Sequence, residues 1–255
     1  IMMAPMCQYS AGDDALANNW HFVHYPTRAV GGVGLIVVEA TAVEGRGRIS
    51  ERDLGIYEDH HVEGLSRLVA MCHERGAKIG LQIAHAGRKA WTEKKAFGPE
   101  LPVAPSAIPF DHDWNTPHAL SGPEIDQIVG AFQRAASRAR EAGFDLIEIH
   151  GAHGYLISEF LSPLTNSRDD DYGGPLAGRM RLLHRVVAAV RAVWPESAPL
   201  LVRVSVSDYT PGGMDVAQMI EVAKSLRERG VDLLDCSSGG VVPATVPAGP
   251  GYQIP

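Results

Sequence analysis

The feature that most restricts the fold is a unit that recurs along the chain. A polar, amphipathic stretch runs to a glycine, and a short run rich in Val, Ile and Leu follows almost at once. Glu74-Arg75-Gly76 precedes the run 78–83, Glu141-Ala142-Gly143 precedes 144–149, and Glu228-Arg229-Gly230 precedes 231–235. Gly31-Gly32 stands in the same way before 33–38. Glycine suits the left-handed residue that closes a helix, and apolar runs this short read as strands. The stretches between them carry helix signals. Ser121-Gly122-Pro123-Glu124 is a capping-box pattern with proline in the first turn. Ile125, Ile128, Val129, Phe132, Ala135, Ala136 and Ala139 then keep a helical period. Val62, Leu65, Leu68, Val69 and Cys72 make a second apolar face, and Val216, Met219, Ile220, Ala223 and Leu226 a third. Strands alternating with such helices predict parallel βα units.

Six strands are predicted, at 1–4, 33–38, 78–83, 144–149, 200–204 and 231–235. Residues 84–120, rich in Pro, His and aromatics, form the longest interruption and read as a lid-like excursion over one face. A complete (β/α)8 barrel takes roughly 250 residues, and the chain has 255. The excursion and other loops use much of that length. The expectation is therefore one incomplete barrel domain over 1–255, with about six βα units.

Composition excludes several function classes. The chain holds 30 acidic and 23 basic residues, a net charge of −7, with no basic stripe, which argues against a nucleic-acid partner. No apolar run reaches the roughly 18 residues of a membrane span, and Ile1-Met2-Met3-Ala4-Pro5 lacks the pattern of a signal peptide. Cys7, Cys72 and Cys236 are far apart, with no CxxC pair, which fits a reducing cytoplasm.

Barrels of this kind carry their chemistry at the C-terminal strand ends, and here those ends are polar. His150 and His153, three apart just past a strand, can meet one oxygen as two donors, meet one metal, or simply pack the turn. Tyr155 lies two residues further on, placed to supply a phenolic proton or to pack. Arg203 stands inside the apolar run 200–204. A buried guanidinium needs either an internal carboxylate such as Glu148 or a bound anionic group. Cys7 and Gln82 are further strand-end candidates. No GxGxxG or GxxxxGK[ST] occurs, so a Rossmann or P-loop reading has no support.

The motifs Met3-Ala4-Pro5-Met6-Cys7-Gln8-Tyr9, Val38-Glu39-Ala40-Thr41-Ala42-Val43, Gln82-Ile83-Ala84-His85-Ala86-Gly87-Arg88-Lys89, Ile149-His150-Gly151-Ala152-His153-Gly154-Tyr155-Leu156 and Asp235-Cys236-Ser237-Ser238-Gly239, in this order, resemble the Old Yellow Enzyme family. Cys7 with Tyr9 resembles its thermophilic-like class, which includes the xenobiotic reductases. The resemblance implies a (β/α)8 barrel and an FMN-dependent ene-reductase that takes its electrons from NAD(P)H. It implies that Ala4, Pro5, Met6, Cys7, Ala40, Gln82 and Arg203 line the flavin, with Ser237 toward its ribityl–phosphate end. His150 and His153 would hold an enone carbonyl oxygen, Tyr155 would donate the proton, and Tyr9 would add a substrate hydrogen bond. It implies a homo-oligomer when complete. In the family the FMN phosphate is held largely at the last two strand ends. Here the chain runs out at Gly251-Tyr252-Gln253-Ile254-Pro255, before strands seven and eight, and opens without the N-terminal hairpin. These residues alone are thus expected to bind FMN weakly or not at all unless the missing segment is supplied. Two alternatives stand beside this reading: a metal-dependent hydrolase on the same barrel, with His85, His150 and His153 as ligands, and a catalytically incompetent fragment.

Overall fold

A computed structural model describes residues 1–243; the expected chain end at 251–255 lies outside the described residues. Six parallel strands form one curved sheet in the order β1-β2-β3-β6-β7-β8. They are β1 (Met2–Met3), β2 (Leu35–Ala42), β3 (Lys78–Ala84), β6 (Leu146–Gly151), β7 (Leu200–Ser205) and β8 (Leu233–Ser237). The remaining two, β4 (Val103–Ala104) and β5 (His118–Ala119), pair with each other inside the excursion. All six predicted strands exist, with shifted ends. β1 keeps only two residues of 1–4, β2 runs on past 38 to Ala42 through a bulge after Val38, and β8 starts two residues later than 231.

The crossovers between sheet strands are helical. They include α1 (Asn19–Val30), α2 (His61–His73), α3 (Gly122–Glu141), α4 (Leu156–Leu161), α5 (Leu176–Arg179), α6 (Arg181–Arg191) and α7 (Val216–Arg227). The expected capping box starts α3: Glu124 accepts the Ser121 N–H at 2.8 Å. The glycine stops hold too, with positive φ at Gly76, Gly143 and Gly230. On α3 and α2 the predicted faces are buried, with Val62 at the margin. The prediction for α7 needs correcting. Met219, Val222 and Leu226 face the core, while Val216 and Ile220 are 56% and 49% exposed. Met219, Val222 and Leu226 join the main core, and on the same side His184 Nε2 of α6 meets Ser225 Oγ at 2.9 Å.

The excursion docks through its own polar contacts. Arg88 donates to the carbonyls of Ile108 (3.1 Å) and Pro109 (3.0 Å), and the Ser167 N–H donates to Ser106 Oγ at 3.0 Å. Among the described residues no helix is long and apolar enough to cross a membrane.

Candidate active site

Side chains alternate between the two faces of each strand. Ile79, Leu81, Ile83, Ile147, Ile149, Leu200, Val202 and Val204 pack outward in the main core with the helices. Their neighbours point into the barrel. The interior floor is apolar, made of Val37, Leu146 and Leu201 with Met2 and Leu35 against them. Above it the interior turns polar, with Gln82, Glu148, Arg203 and Asp235, and at the strand ends stand His150, Ser205 and Ser237.

In the polar layer Gln82 Nε2 donates to Glu148 Oε1 at 2.7 Å. Arg203 Nε lies 3.3 Å from Asp235 Oδ2, and its Nη1 donates to Pro5 O at 3.3 Å. The internal carboxylate beside Arg203 is thus Asp235, where the sequence suggested Glu148. Register is the reason: Arg203 stands opposite Asp235, whereas Glu148 stands opposite Leu201, one inward step nearer the floor. Burial, reinforced by the Asp235 charge, pushes the Glu148 carboxyl up to about 7.

At the strand ends three rings converge. The His150 and His153 centroids are 5.1 Å apart, and His150 and Tyr155 are 5.0 Å apart, both edge to face. His153 has φ 62° and Gly154 φ 70°, so the chain turns tightly here. A Cβ on Gly154 would lie 2.0 Å from Gly240 O, which explains glycine at that place. The His153 N–H donates to Ser205 Oγ at 2.9 Å, and its Nε2 lies 2.6 Å from Ser237 Oγ. Ser237 therefore meets His153 directly. The Ala152 N–H donates to His150 Nδ1 at 3.3 Å, which leaves the His150 proton on Nε2. Burial holds His150 well below the ordinary histidine range and lowers His153 to about 4, helped by the charges of Arg203 and Lys89. Both rings are neutral at pH 7. Burial raises the Tyr155 phenol well above its ordinary value, so it keeps its proton.

The segment after β1 closes one side. Ala4 and Cys7 are half-buried, Pro5 is buried, and Met6 is 52% exposed. Glu39 anchors this segment by accepting from the Gln8 N–H (2.6 Å) and the Tyr25 hydroxyl (3.0 Å). Burial pushes the Cys7 thiol up to about 12, so it is a neutral thiol packed in the cluster of Ala40, Ala84 and Tyr155. Tyr9, with φ 49°, is half-exposed beside a 460 Å³ cavity lined also by Ile49, Ser50, Arg52 and Thr92. Lys89 was not given a role from sequence. Its Nζ donates to His153 O (2.8 Å) and Gly240 O (3.0 Å) and stands 5.0 Å from the Tyr155 ring centroid. A cation set among Ala84, Ala86 and Ala90 was the available signal.

A polar barrel mouth with neutral imidazoles and a phenol beside a guanidinium suits electron-pair chemistry on a bound planar group. A family model described as NADH:flavin oxidoreductase / NADH oxidase family matches residues 1–252. The chain belongs to this family. The NADPH dehydrogenase of Geobacillus sp. (strain WCH70) is 55% identical over 256 residues, covering 100% of this chain and 73% of that protein. That of Bacillus licheniformis is 52% identical over 255 residues, again covering 100% of this chain and 73% of its own. The structure of morphinone reductase in complex with tetrahydroNAD superposes with a TM-score of 0.81 at 31% identity, covering 92% of this chain and 69% of that one. The old yellow enzyme homologue from Zymomonas mobilis gives 0.83 at 32% identity, covering 92% and 68%.

This member of the Old Yellow Enzyme family is an NAD(P)H-dependent flavin oxidoreductase with FMN as its cofactor. Its sheet is the six-stranded parallel part of the expected barrel. Family membership removes the hydrolase alternative, and His85 Nε2 faces Glu44 Oε2 at 3.4 Å. The residues present fit the group. Arg203 Nε and Asp235 Oδ2 are close but not aligned as a hydrogen bond, and Glu148 Oε2 has no hydrogen-bond partner among the described residues. Buried donors and acceptors left in this state call for a polar partner, which the pyrimidine edge of a flavin offers.

Proposed function

We propose that the protein reduces the activated C=C bond of an α,β-unsaturated carbonyl compound. The observation that carries this reading is the convergence of His150, His153 and Tyr155 at the strand ends beside Arg203, which stands opposite His150 in the sheet. When bound and reduced by NAD(P)H, FMN would supply the hydride for the β-carbon. Ala4, Pro5, Met6, Cys7 and Ala40 would bound the flavin, Gln82 would meet its polar edge, and Arg203 would offset the negative charge gained there on reduction.

The substrate oxygen is held by the two neutral imidazoles. His150 donates from Nε2, because Nδ1 is already engaged by the Ala152 N–H. His153 donates from Nδ1 while Ser237 Oγ engages Nε2, so Ser237 orients the ring. Two fixed donors aimed at the oxygen stabilise its developing charge without reorganisation. Tyr155 passes its phenolic proton to the α-carbon as general acid. The Lys89 ammonium, 5.0 Å from that ring, eases the charge left behind. Tyr9 adds a hydrogen bond to the substrate at the cavity mouth, and the excursion 84–120 serves as a lid that carries Phe110 over Lys89. With it we propose a small-molecule substrate, a cytoplasmic location, and a homo-oligomer for the complete barrel of which 1–255 is one incomplete domain.

Tyr155→Phe tests this directly. Reduction of a cyclic enone should fall by about 10²–10⁴, while reduction of the bound FMN by NADPH should stay within a few-fold of the parent. Unchanged enone turnover would show that the proton comes from elsewhere.

A further inference from the structure

Glu148 is wholly buried, and its two oxygens are in different states. Oε1 holds the Gln82 amide at 2.7 Å, and Oε2 has no hydrogen-bond partner among the described residues. The charged groups acting on it are Arg203 on β7 and Asp235 on β8; from β3 it faces the uncharged Gln82. Asp235 already lies 3.3 Å from the guanidinium. Two carboxyl groups thus share one cation inside the barrel, a costly arrangement when both are ionised.

We propose that Glu148 is a positioning residue that acts on FMN through Gln82 and takes up a proton when the flavin is reduced. Ionised, Glu148 holds the amide by Nε2, so Gln82 turns its Oε1 acceptor away from the carboxylate. Protonated, Glu148 donates its O–H to Oε1, and the amide turns its Nε2–H donors outward instead. An acceptor suits the oxidised flavin edge, which carries an N–H, and donors suit the same edge once it has gained negative charge. This rests on the reading that Gln82 and Arg203 meet the flavin.

The step balances. The hydride from NAD(P)H brings two electrons and one hydrogen to the flavin, and the nicotinamide leaves as NAD(P)⁺. One proton from solvent binds the Glu148 carboxylate. When the hydride passes on to substrate, that proton returns to solvent. The driving force is Coulombic: a carboxylate facing a newly anionic edge at low dielectric is disfavoured. The carboxyl already sits near 7, so a second negative charge moves it across the neutral range.

The midpoint potential of the FMN-loaded protein, measured against pH, tests the proposal. From about pH 7 up to the higher pH at which Glu148 ionises in the reduced state, the slope should be steeper by about 30 mV per pH unit, one extra proton per two electrons. Below pH 7 the extra slope should vanish, because Glu148 is protonated in both states. Glu148→Gln should lack the extra slope throughout. The reduced-minus-oxidised infrared spectrum of the unsubstituted protein should gain a protonated-carboxyl band that Glu148→Gln lacks, and this reading does not depend on the variant folding. Equal slopes in the two proteins, or no such band in the parent, would overturn the proposal. Gln82→Leu separates the two layers of the argument. If it shifts the flavin absorption and potential while Glu148→Gln keeps the slope, only the proton uptake is wrong. If Gln82→Leu changes neither, Gln82 does not meet the flavin and both fall.

Discussion

His150 can act as a donor because it is neutral and because its two nitrogens have separate duties. The Ala152 N–H fixes the tautomer, and burial keeps the ring uncharged. Removing the ring should weaken binding of a phenol or an enone by roughly tenfold, the worth of one buried hydrogen bond or somewhat more. His150→Ala should therefore raise the Kd of a phenol read from its flavin absorption change while leaving FMN bound. Loss of FMN instead would place His150 against the cofactor. The three converging rings were legible as residues, since their spacing after a strand is fixed by the chain itself. Arg203 was legible as a problem, a guanidinium in an apolar run, but its partner was not. Whether Glu148 or Asp235 meets it depends on the stagger between strands, which no local pattern encodes. Lys89 was illegible for another reason: a long side chain on a loop can reach many places, and only the folded turn sets the two carbonyls before it.

At the level of elements, the strand–glycine–helix rhythm carried the sheet, because each signal is local. The face of α7 did not follow, since Val216 and Ile220 keep the same helical period as the stripe that is buried. Which stripe wins is decided by where the helix lands on the core, not by its own period. The contact between α6 and α7 has its own pH dependence. Burial, then the Arg229 charge, lowers His184 to about 4 from its ordinary 6.5. Between those values the unfolded chain binds a proton that the folded one does not. Stability therefore falls as pH drops from 6.5 to 4 and levels off below; above 6.5 the ring is neutral in both states. His184→Gln should shrink the loss of denaturation midpoint between pH 6.5 and 4.5 and leave turnover unchanged, as the residue lies on the outer helical layer. An undiminished acid loss in the variant would assign it to other groups.

For the whole molecule, the arrangement is an apolar floor, a polar middle and a rim of His150, His153 and Tyr155 along one barrel interior. Alternation along each strand produces this layering, so a sequence with Leu146, Glu148 and His150 at every second place already contains it. The curvature that turns those columns toward one another belongs to the sheet as a whole. The central claim is that this rim delivers flavin electrons to an activated alkene. It is tested most directly by mixing NADPH-reduced, FMN-loaded protein with a cyclic enone in the absence of oxygen. The oxidised flavin spectrum should return, with one saturated ketone formed per FMN. A flavin that stays reduced in excess enone, yet reoxidises on admission of air, would contradict the claim.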